Sequence, residues 1–598
     1  MKLQNIILPN PETCTVEDMY LRRDGIIDFT WADPTIKMFP NSALYFDTYF
    51  NSFSVNKWKK YTKVKNVYLT LRFRGRLRVT LVRKERIGKE VLTHYIKEQY
   101  ATSDGGEVTF YFDDPYTTGV FCANVFAPEF TEFYGGYYST DVEASDIASV
   151  KIALDICTFK REHFVKKNMH LIDERVFHTD RYEDFKNCVE AFIIDNAQTL
   201  RPEDFGQDFV HLIPNNNLGG AGGFTRGLIE IKKAAEAHGF THALLMDDDI
   251  VVDPECIFRS WAILSLLKDE YKDAFIGGAM LRLDHQHIQV ECGAVWNQGE
   301  LMARKVGMDL RGIEPCLYNE VEETIEYSAW WYTLLPLTVV REDNLPLPIF
   351  IRGDDVEYGM RNARRIITMN GICVWHEPFE NKYASTMFYY ILRNRLIDNA
   401  VHNKPIEKAK FIDIMWHQVM EQIYLYRYKN AHLLLDGIGD FLNGVDWFKQ
   451  QDGQEVHKKV MNDGYKMQYL EDIGAQFDYG AYERSLAEPE KLSFTHKVVK
   501  RLTINGIKLK PKRQHVVIPV VTAREINVYR AEEVVNYDPL TQKGFVTRRD
   551  PAEAQRCLAK MRQITNRINR TYDAVNQEYG QRAREIMSIG FWKEYLNI

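Results

Sequence analysis

Five short runs carry residues able to do chemistry. In MDDDI (246–250), three adjacent carboxylates follow directly on the apolar run HALLM (242–246). Three acids in a row repel one another, and a divalent cation with oxygen ligands would offset that charge. The alternative is a solvated acidic turn. If HALLM is a strand of an α/β unit, the acids stand at its carboxyl end, where such sheets bind ligands. NLGGAGGFTRG (217–227) has four glycines within five residues before a helical pattern. The backbone there either approaches a ligand at a helix N-terminus or makes a plain flexible turn. No GK[ST] follows, so this is not a Walker loop. FIRGDDVEYGMR (350–361) sets Asp354 beside Asp355, between Arg352 and Arg361. Such a pair can hold one carboxyl at near-neutral basicity for general-base work and leave the other ionised, or it is a surface salt-bridge cluster. In VWHEPF (374–379), His376 is a metal ligand or a packed ring. In YSAWWYTLLP (327–336), Trp330 and Trp331 face opposite sides if the segment is extended. At most one then lines a site, and the other packs a core.

These runs need elements to position them. KIALDIC (151–157), AFIID (191–195) and HALLM read as buried strands, and Phe224, Leu228, Ile231 and Ala235 step along one helix face that Gly239 closes. Strand–helix alternation over residues 148–400 predicts a doubly wound, mainly parallel α/β sheet. Residues 1–147 read as β. VYLTLRF (67–73), LRVTLVR (77–83) and EVTFYF (107–112), with SDGG (103–106) as a turn signal, predict the short strands of a sandwich. Residues 401–598 read as mainly helical. The clearest helix has Asp550 as N-cap, Pro551 at its first position and Glu553 completing a capping box. Leu558, Met561, Ile564, Ile568, Tyr572, Val575 and Tyr579 form its apolar stripe.

Composition narrows the function classes. A chain of 598 residues is too long for one ordinary domain. A net charge of −7 argues against general nucleic-acid binding. The nine cysteines are odd in number and lack a CxxC spacing, which speaks against a zinc cage or a disulfide framework and fits a reducing compartment. MKLQNIILPNPETC holds no signal-peptide core, and no run approaches the ~18 apolar residues of a membrane span. A cytoplasmic protein with at most peripheral membrane contact is therefore expected. No acid lies between Lys491 and Arg524, while Lys497, Lys500, Arg501, Lys508, Lys510, Lys512 and Arg513 cluster there. That stretch is either a solvated basic face or a surface for anionic lipid headgroups at the inner face of the cell membrane.

Taken together, NLGGAGGF, MDDDI, the AWW segment, the GDDVEYG segment, VWHEPF and YYILRNRL (389–396) closely resemble the polymerising galactofuranosyltransferases of mycobacterial cell-wall synthesis. TYFNSFSVNKWKKYT (48–62), YGGYYST (134–140), TRRDPAEAQR (547–556) and FWKEYL (591–596) extend the resemblance over nearly the whole chain. It implies a GT-A, family 2 nucleotide-sugar domain between an N-terminal β-sandwich and a C-terminal helical domain. The implied activity is metal-dependent, inverting transfer of galactofuranose from UDP-galactofuranose to a glycan acceptor, lipid-linked in the simplest reading, for a surface polysaccharide. The implied ligands of Mn²⁺ or Mg²⁺ are Asp247, Asp249 and His376. Asp354 is the implied base, and Asp355 either shares that role or binds acceptor. Thr158, Phe159 and Arg161 in CTFKR, with Asn196, Asn217 and Asp248, map to the uridine and diphosphate contacts. Trp330 and Trp331 match the acceptor-side aromatic pair.

Three positions depart from that pattern. Cys157 stands where the family has Pro, and Gly353 replaces a Trp. The GEV element reads Gly293-Ala294-Val295, so its acid is missing unless Glu291 takes over. The rival readings are another nucleotide-sugar donor on the same fold, a non-catalytic glycan-binding protein, and a two-metal hydrolase. Acceptor, linkage and any homo-oligomer are left open.

Overall fold

The computed structural model describes residues 1–31, 33–297, 299–379, 383–475, 477–487 and 494–598. The chain divides into two compact units. The first comprises residues 1–297, 301–345 and 358–377; the second comprises 298–300, 346–357 and 378–598.

The first unit opens with a nine-stranded antiparallel sheet. The two segments expected as short strands at 67–73 and 77–83 are one strand, β1 (Tyr68–Ile87), paired along its length with β2 (Glu90–Tyr111). SDGG does not turn the chain as expected. It lies inside β2, where Arg72 faces Glu107 and Arg74 faces Asp104, so β2 carries one extra residue. That is a β-bulge, and Gly105 at φ 92° takes the left-handed conformation it needs.

The second sheet of this unit holds the candidate site. It comprises β3 (Ile152–Thr158), β4 (Val189–Asp195), β5 (Val210–Pro214), β6 (His242–Asp247), β7 (Phe275–Gly277), β8 (Thr333–Pro336) and β9 (Ile366–Ile367), in spatial order 5-4-3-6-8-7-9. Strands β5, β4, β3 and β6 run parallel, and β8 runs antiparallel to both its neighbours. The continuous apolar runs read as strands are buried on both faces here, as parallel strands must be. A smaller sheet pairs Ala279–Arg282 with Cys373–His376 in parallel. A buried network joins the N-terminal strand to the helix Pro254–Ser265. Glu255 accepts from the Asn5 backbone (2.6 Å) and side chain (2.8 Å), from Tyr182 (3.0 Å) and from Arg259 (3.0 Å).

The glycine-rich run is neither a loop nor a flexible turn. All four glycines lie in the opening turns of α1 (Gly219–His238). A Cβ built on Gly223 would stand 2.0 Å from Cys157 Sγ, and one on Gly227 would stand 1.9 Å from Asp155 Oδ1. The glycines let this helix lie against β3. Gly239 ends it in the left-handed conformation, φ 77°, as the pattern predicts.

In the second unit, the helices Met387–Val401, Lys408–Tyr424, Tyr428–Phe441 and Pro551–Arg582 share one core, with Leu396, Phe411, Met415, Leu434, Ile438, Met561 and Tyr572 inside it. Asp550 caps the last helix by accepting from Glu553 N (2.9 Å). The capping box is not closed, because the Glu553 carboxylate takes hydrogen bonds from His432 and Arg556, and the Asp550 N–H donates to Tyr428. This unit is also less helical than expected. A four-stranded sheet, including Arg513–Pro519, Ala531–Asp538 and Lys543–Arg548, stands among the helices.

Candidate active site

The three acids stand where β6 ends. Asp247 closes the strand, and Asp248 and Asp249 form the turn after it. The chain then returns to the small sheet. Val251 N donates to Trp375 O (2.8 Å) and Trp375 N donates to Val251 O (2.9 Å). Two residues before Val251 is Asp249 and one residue after Trp375 is His376, so this bridge brings the two side chains together. His376 Nε2 lies 3.3 Å from Asp249 Oδ1, with side-chain exposures of only 4% and 10%. One ligand atom from each of Asp247, Asp249 and His376 lies within 4.8 Å of the others.

Two carboxylates and an imidazole nitrogen form a donor set that suits Mn²⁺ and accepts Mg²⁺. The residues present therefore fit the implied ion. Arg161 is a cation paired with the acid turn. Its Nη1 lies 3.0 Å from Asp248 Oδ1 and 2.8 Å from Asp249 Oδ2.

Asp248 has a different neighbourhood from its two companions. It accepts from Thr158 Oγ1 (2.7 Å) and from Arg161, while Asn168 donates to the carbonyls of Asp248 and Ile250. Burial pushes its carboxyl above the usual range, against the pull of Arg161 and Thr158. Burial disfavours the Arg161 cation, but the fields of Asp249 and Asp248 hold its pKa above the ordinary value. Asp248 thus ties the acid turn to the end of β3.

The other donor-side positions gather around the end of β4. Asn196 is buried. It donates to Cys157 Sγ (3.2 Å) and Gly219 O (3.1 Å), and it accepts from Asn215 (2.8 Å). Asn217 accepts from Gly219 N (3.2 Å) at the start of α1. Phe159 is 43% exposed beside them. Asp195 shapes this loop by accepting from the backbone of Ala197, Thr199 and Leu200. Asp195, Asn215 and Asn168 join these positions without an expectation from sequence; for the first two, the polar residues that end the apolar runs IIDN and LIPNNN are the signal.

Trp330 and Trp331 lie in the turn before β8 and are both buried, with exposures of 4% and 5%. Trp331 donates to Gly278 O (3.1 Å), and Trp330 packs edge-on against Phe224 and Tyr358. Glu291 ends the strand Ile288–Glu291, partly exposed. Gly293, at φ 76°, has Ile325 2.6 Å from where a Cβ would stand.

Asp354 and Asp355 open the helix α2 (Asp354–Asn362). An N-terminal turn favours ionised carboxylates through its unpaired N–H groups, and Asp354 is 7% exposed. The guanidinium of Arg361, expected to flank the pair, binds Asn344 and the Leu345 carbonyl. Within the second unit, further carboxyl groups surround the pair. Burial raises the Asp398 carboxyl well above the usual range, and Glu357, Asp355 and Asp354 add to the shift. Gly353 has a physical reason to lack a side chain: its φ is 104° and a Cβ there would stand 2.6 Å from Asp398 Oδ2.

The site is an acid turn at a strand end with an imidazole and a guanidinium against it, and comparison with known proteins gives its class, the glycosyltransferases. Residues 3–124 match the family model described as Galactofuranosyltransferase 2 N-terminal. The chain is 26% identical over 508 residues to Galactofuranosyltransferase GlfT2 of Mycobacterium tuberculosis, covering 74% of this chain and 72% of the relative. It is 25% identical over 493 residues to Galactofuranosyltransferase GlfT2 of Mycolicibacterium smegmatis, covering 74% and 71%. Both relatives bear the name of the family that the ordered motifs resemble, so that resemblance stands. Among solved structures, a Clostridium thermocellum xylanase fragment aligns at a TM-score of 0.18 and 8% identity, covering 33% of this chain and 38% of that one, too little to bear on the fold.

Proposed function

We propose that the protein is an inverting, metal-dependent galactofuranosyltransferase of GT-A type that transfers galactofuranose from UDP-galactofuranose to a glycan acceptor. The observation that carries this reading is the convergence of Asp247, Asp249 and His376 at the end of β6, in a chain similar to galactofuranosyltransferases over most of its length. A bound Mn²⁺ or Mg²⁺, held by those three side chains, would neutralise charge on the departing diphosphate. Arg161 contributes a second positive charge beside the same turn. Asp354 takes the proton from an acceptor hydroxyl as its oxygen attacks the anomeric carbon. The bond from that carbon to the UDP oxygen breaks, and a single displacement inverts the centre. No sugar–enzyme bond forms.

The acceptor is lipid-linked in this proposal, and the protein docks reversibly at the inner face of the membrane. In support, Arg501, Lys508, Lys510 and Lys512 are exposed, and Val498, Val499 and Leu502 present 39%, 41% and 69% of their surface. Lys491 lies outside the described residues, as does the side chain of Lys497. No helix among the described residues is long and apolar enough to cross a membrane.

The test is incubation with UDP-galactofuranose and a short lipid-linked galactofuranosyl acceptor, followed by mass spectrometry of the products. UDP-galactopyranose and UDP-glucose run alongside. Acceptor extended by hexose units only with the furanose donor supports the proposal. Extension with a pyranose donor, or none with any donor, overturns it.

A further inference from the structure

The Asp354–Asp355 pair follows an unusual stretch of backbone. Phe350, Arg352 and Gly353 have φ of 75°, 69° and 104°, so two non-glycine residues within four positions take the left-handed conformation. Such backbone persists where surrounding groups hold it. The groups that hold this one come from the helix Met387–Val401. Asn394, 2% exposed, points its amide at three carbonyls of the loop: Ile349 O (3.2 Å), Ile351 O (2.7 Å) and Arg352 O (2.8 Å). Arg393 is also buried. It donates to Ile349 O (2.7 Å) and to Asn394 Oδ1 (2.8 Å), which fixes the amide so that its N–H₂ faces the loop.

One turn further along the same helix face, Asp398 lies against Gly353 and fills the place a side chain there would take. Its Oδ1 has no hydrogen-bond partner among the described residues. One turn further again, His402 Nε2 stands 3.5 Å from Glu357 Oε1. A single helix face therefore supports the loop at its start, at its last glycine and in the first turn of α2.

We infer that Asn394 is a positioning residue for transfer: by gripping three carbonyls of the left-handed loop, it sets the direction in which Asp354 and Asp355 are presented. The inference rests on the reading of that pair as the group that activates the acceptor. Asn394 touches neither donor nor acceptor in this account, so its loss acts on the chemical step and leaves the nucleotide's grip unchanged.

The experiment compares Asn394→Asp, Asp354→Asn and Asp355→Asn with wild type. The first substitution keeps shape and removes both donors. Rates are normalised to the fraction of enzyme that binds UDP, which removes any loss from misfolded protein. For Asn394→Asp, kcat should fall about 100-fold, the scale of an ångström-sized misplacement of a reacting group, with KM for the nucleotide sugar unchanged. A kcat within threefold of wild type (roughly the scatter of a surface change), or a loss expressed in KM, overturns the inference. Should Asn394→Asp not fold, Gly353→Ala pushes the same loop off Asp398 and must give the same loss of kcat with KM retained; normal kcat there overturns the inference.

The outcomes separate the two ideas. A slow Asn394→Asp with an active Asp354→Asn and an inactive Asp355→Asn keeps the positioning role and moves the base to Asp355. An active Asn394→Asp with an inactive Asp354→Asn keeps the base and removes the positioning role. If all three stay active, both ideas fall.

Discussion

Asp155 lies in the middle of β3, between Phe192 of β4 and Leu245 of β6, with no exposure to solvent. Neither carboxyl oxygen has a hydrogen-bond partner among the described residues. Burial alone pushes its pKa well above the ordinary value. The folded protein therefore keeps this proton, while the unfolded chain releases it near the ordinary pKa of about 3.9. Above that pH the unfolded state binds fewer protons, so rising pH favours unfolding. The slope is about 1.4 kcal/mol per pH unit for as long as the buried carboxyl stays protonated.

Asp155→Ala removes the proton difference and leaves a small void whose cost does not depend on pH. The stability of Asp155→Ala relative to wild type should therefore rise with pH above roughly pH 5, at up to about 1.4 kcal/mol per pH unit. Urea unfolding followed by tryptophan fluorescence, run at three pH values on both proteins, reads this difference, and every other titrating group cancels. A difference that stays level with pH would show that Asp155 is ionised in the folded protein, and the argument would fail. A second arm uses the contact with α1. Gly227→Ala must crowd the Asp155 carboxyl, an overpacking that costs about 1–3 kcal/mol. Most of that cost should vanish when Asp155 is already Ala, as a coupling energy in the double-mutant cycle. The seam matters to the site because Cys157 and Thr158, further along β3, meet Asn196 and Asp248.

Further outcomes are expected. EDTA should abolish transfer and added Mn²⁺ should restore it, while Asp249→Ala and His376→Ala should be inactive at unchanged circular dichroism; full activity in EDTA sinks the metal reading. Arg161→Ala should lower kcat by about 100-fold, as loss of one charge-stabilising group does, and unchanged kcat would assign Arg161 to the acid turn alone. Vesicle co-sedimentation should rise with anionic lipid and fall with salt, and it should weaken when Arg501, Lys508, Lys510 and Lys512 become Gln. Equal binding by both proteins would leave this an ordinary solvated surface.

Much of the candidate site was legible because its signals are local. An apolar run that ends in three acids reads as a strand and its carboxyl end, and β6 with Asp247–Asp249 is that arrangement. Helix signals were equally short-ranged: Gly239 closes α1 and Asp550 opens the last helix where the pattern put them. The failures share another cause. SDGG carries the composition of a turn, yet pairing with the long partner β1 made it a bulge. RQHVVIPV has the β-branched run of a strand, and the helical character of its surroundings hid it. The flexible-turn reading of the glycines failed because nothing in the run itself records that β3 will lie against them in α1.

The sequence alone therefore determined which residues carry charge, where α1 stops and the last helix begins, and that three acids end a buried strand, since each depends on neighbours within a turn or a pleat. Only the tertiary structure decided that Arg161 and Thr158 take up Asp248 while His376 approaches Asp249. It likewise decided that Asn394 and Asp398 support the loop before Asp354. Those meetings depend on strand order and on helix-face register, which long-range packing sets and no local pattern of residues encodes.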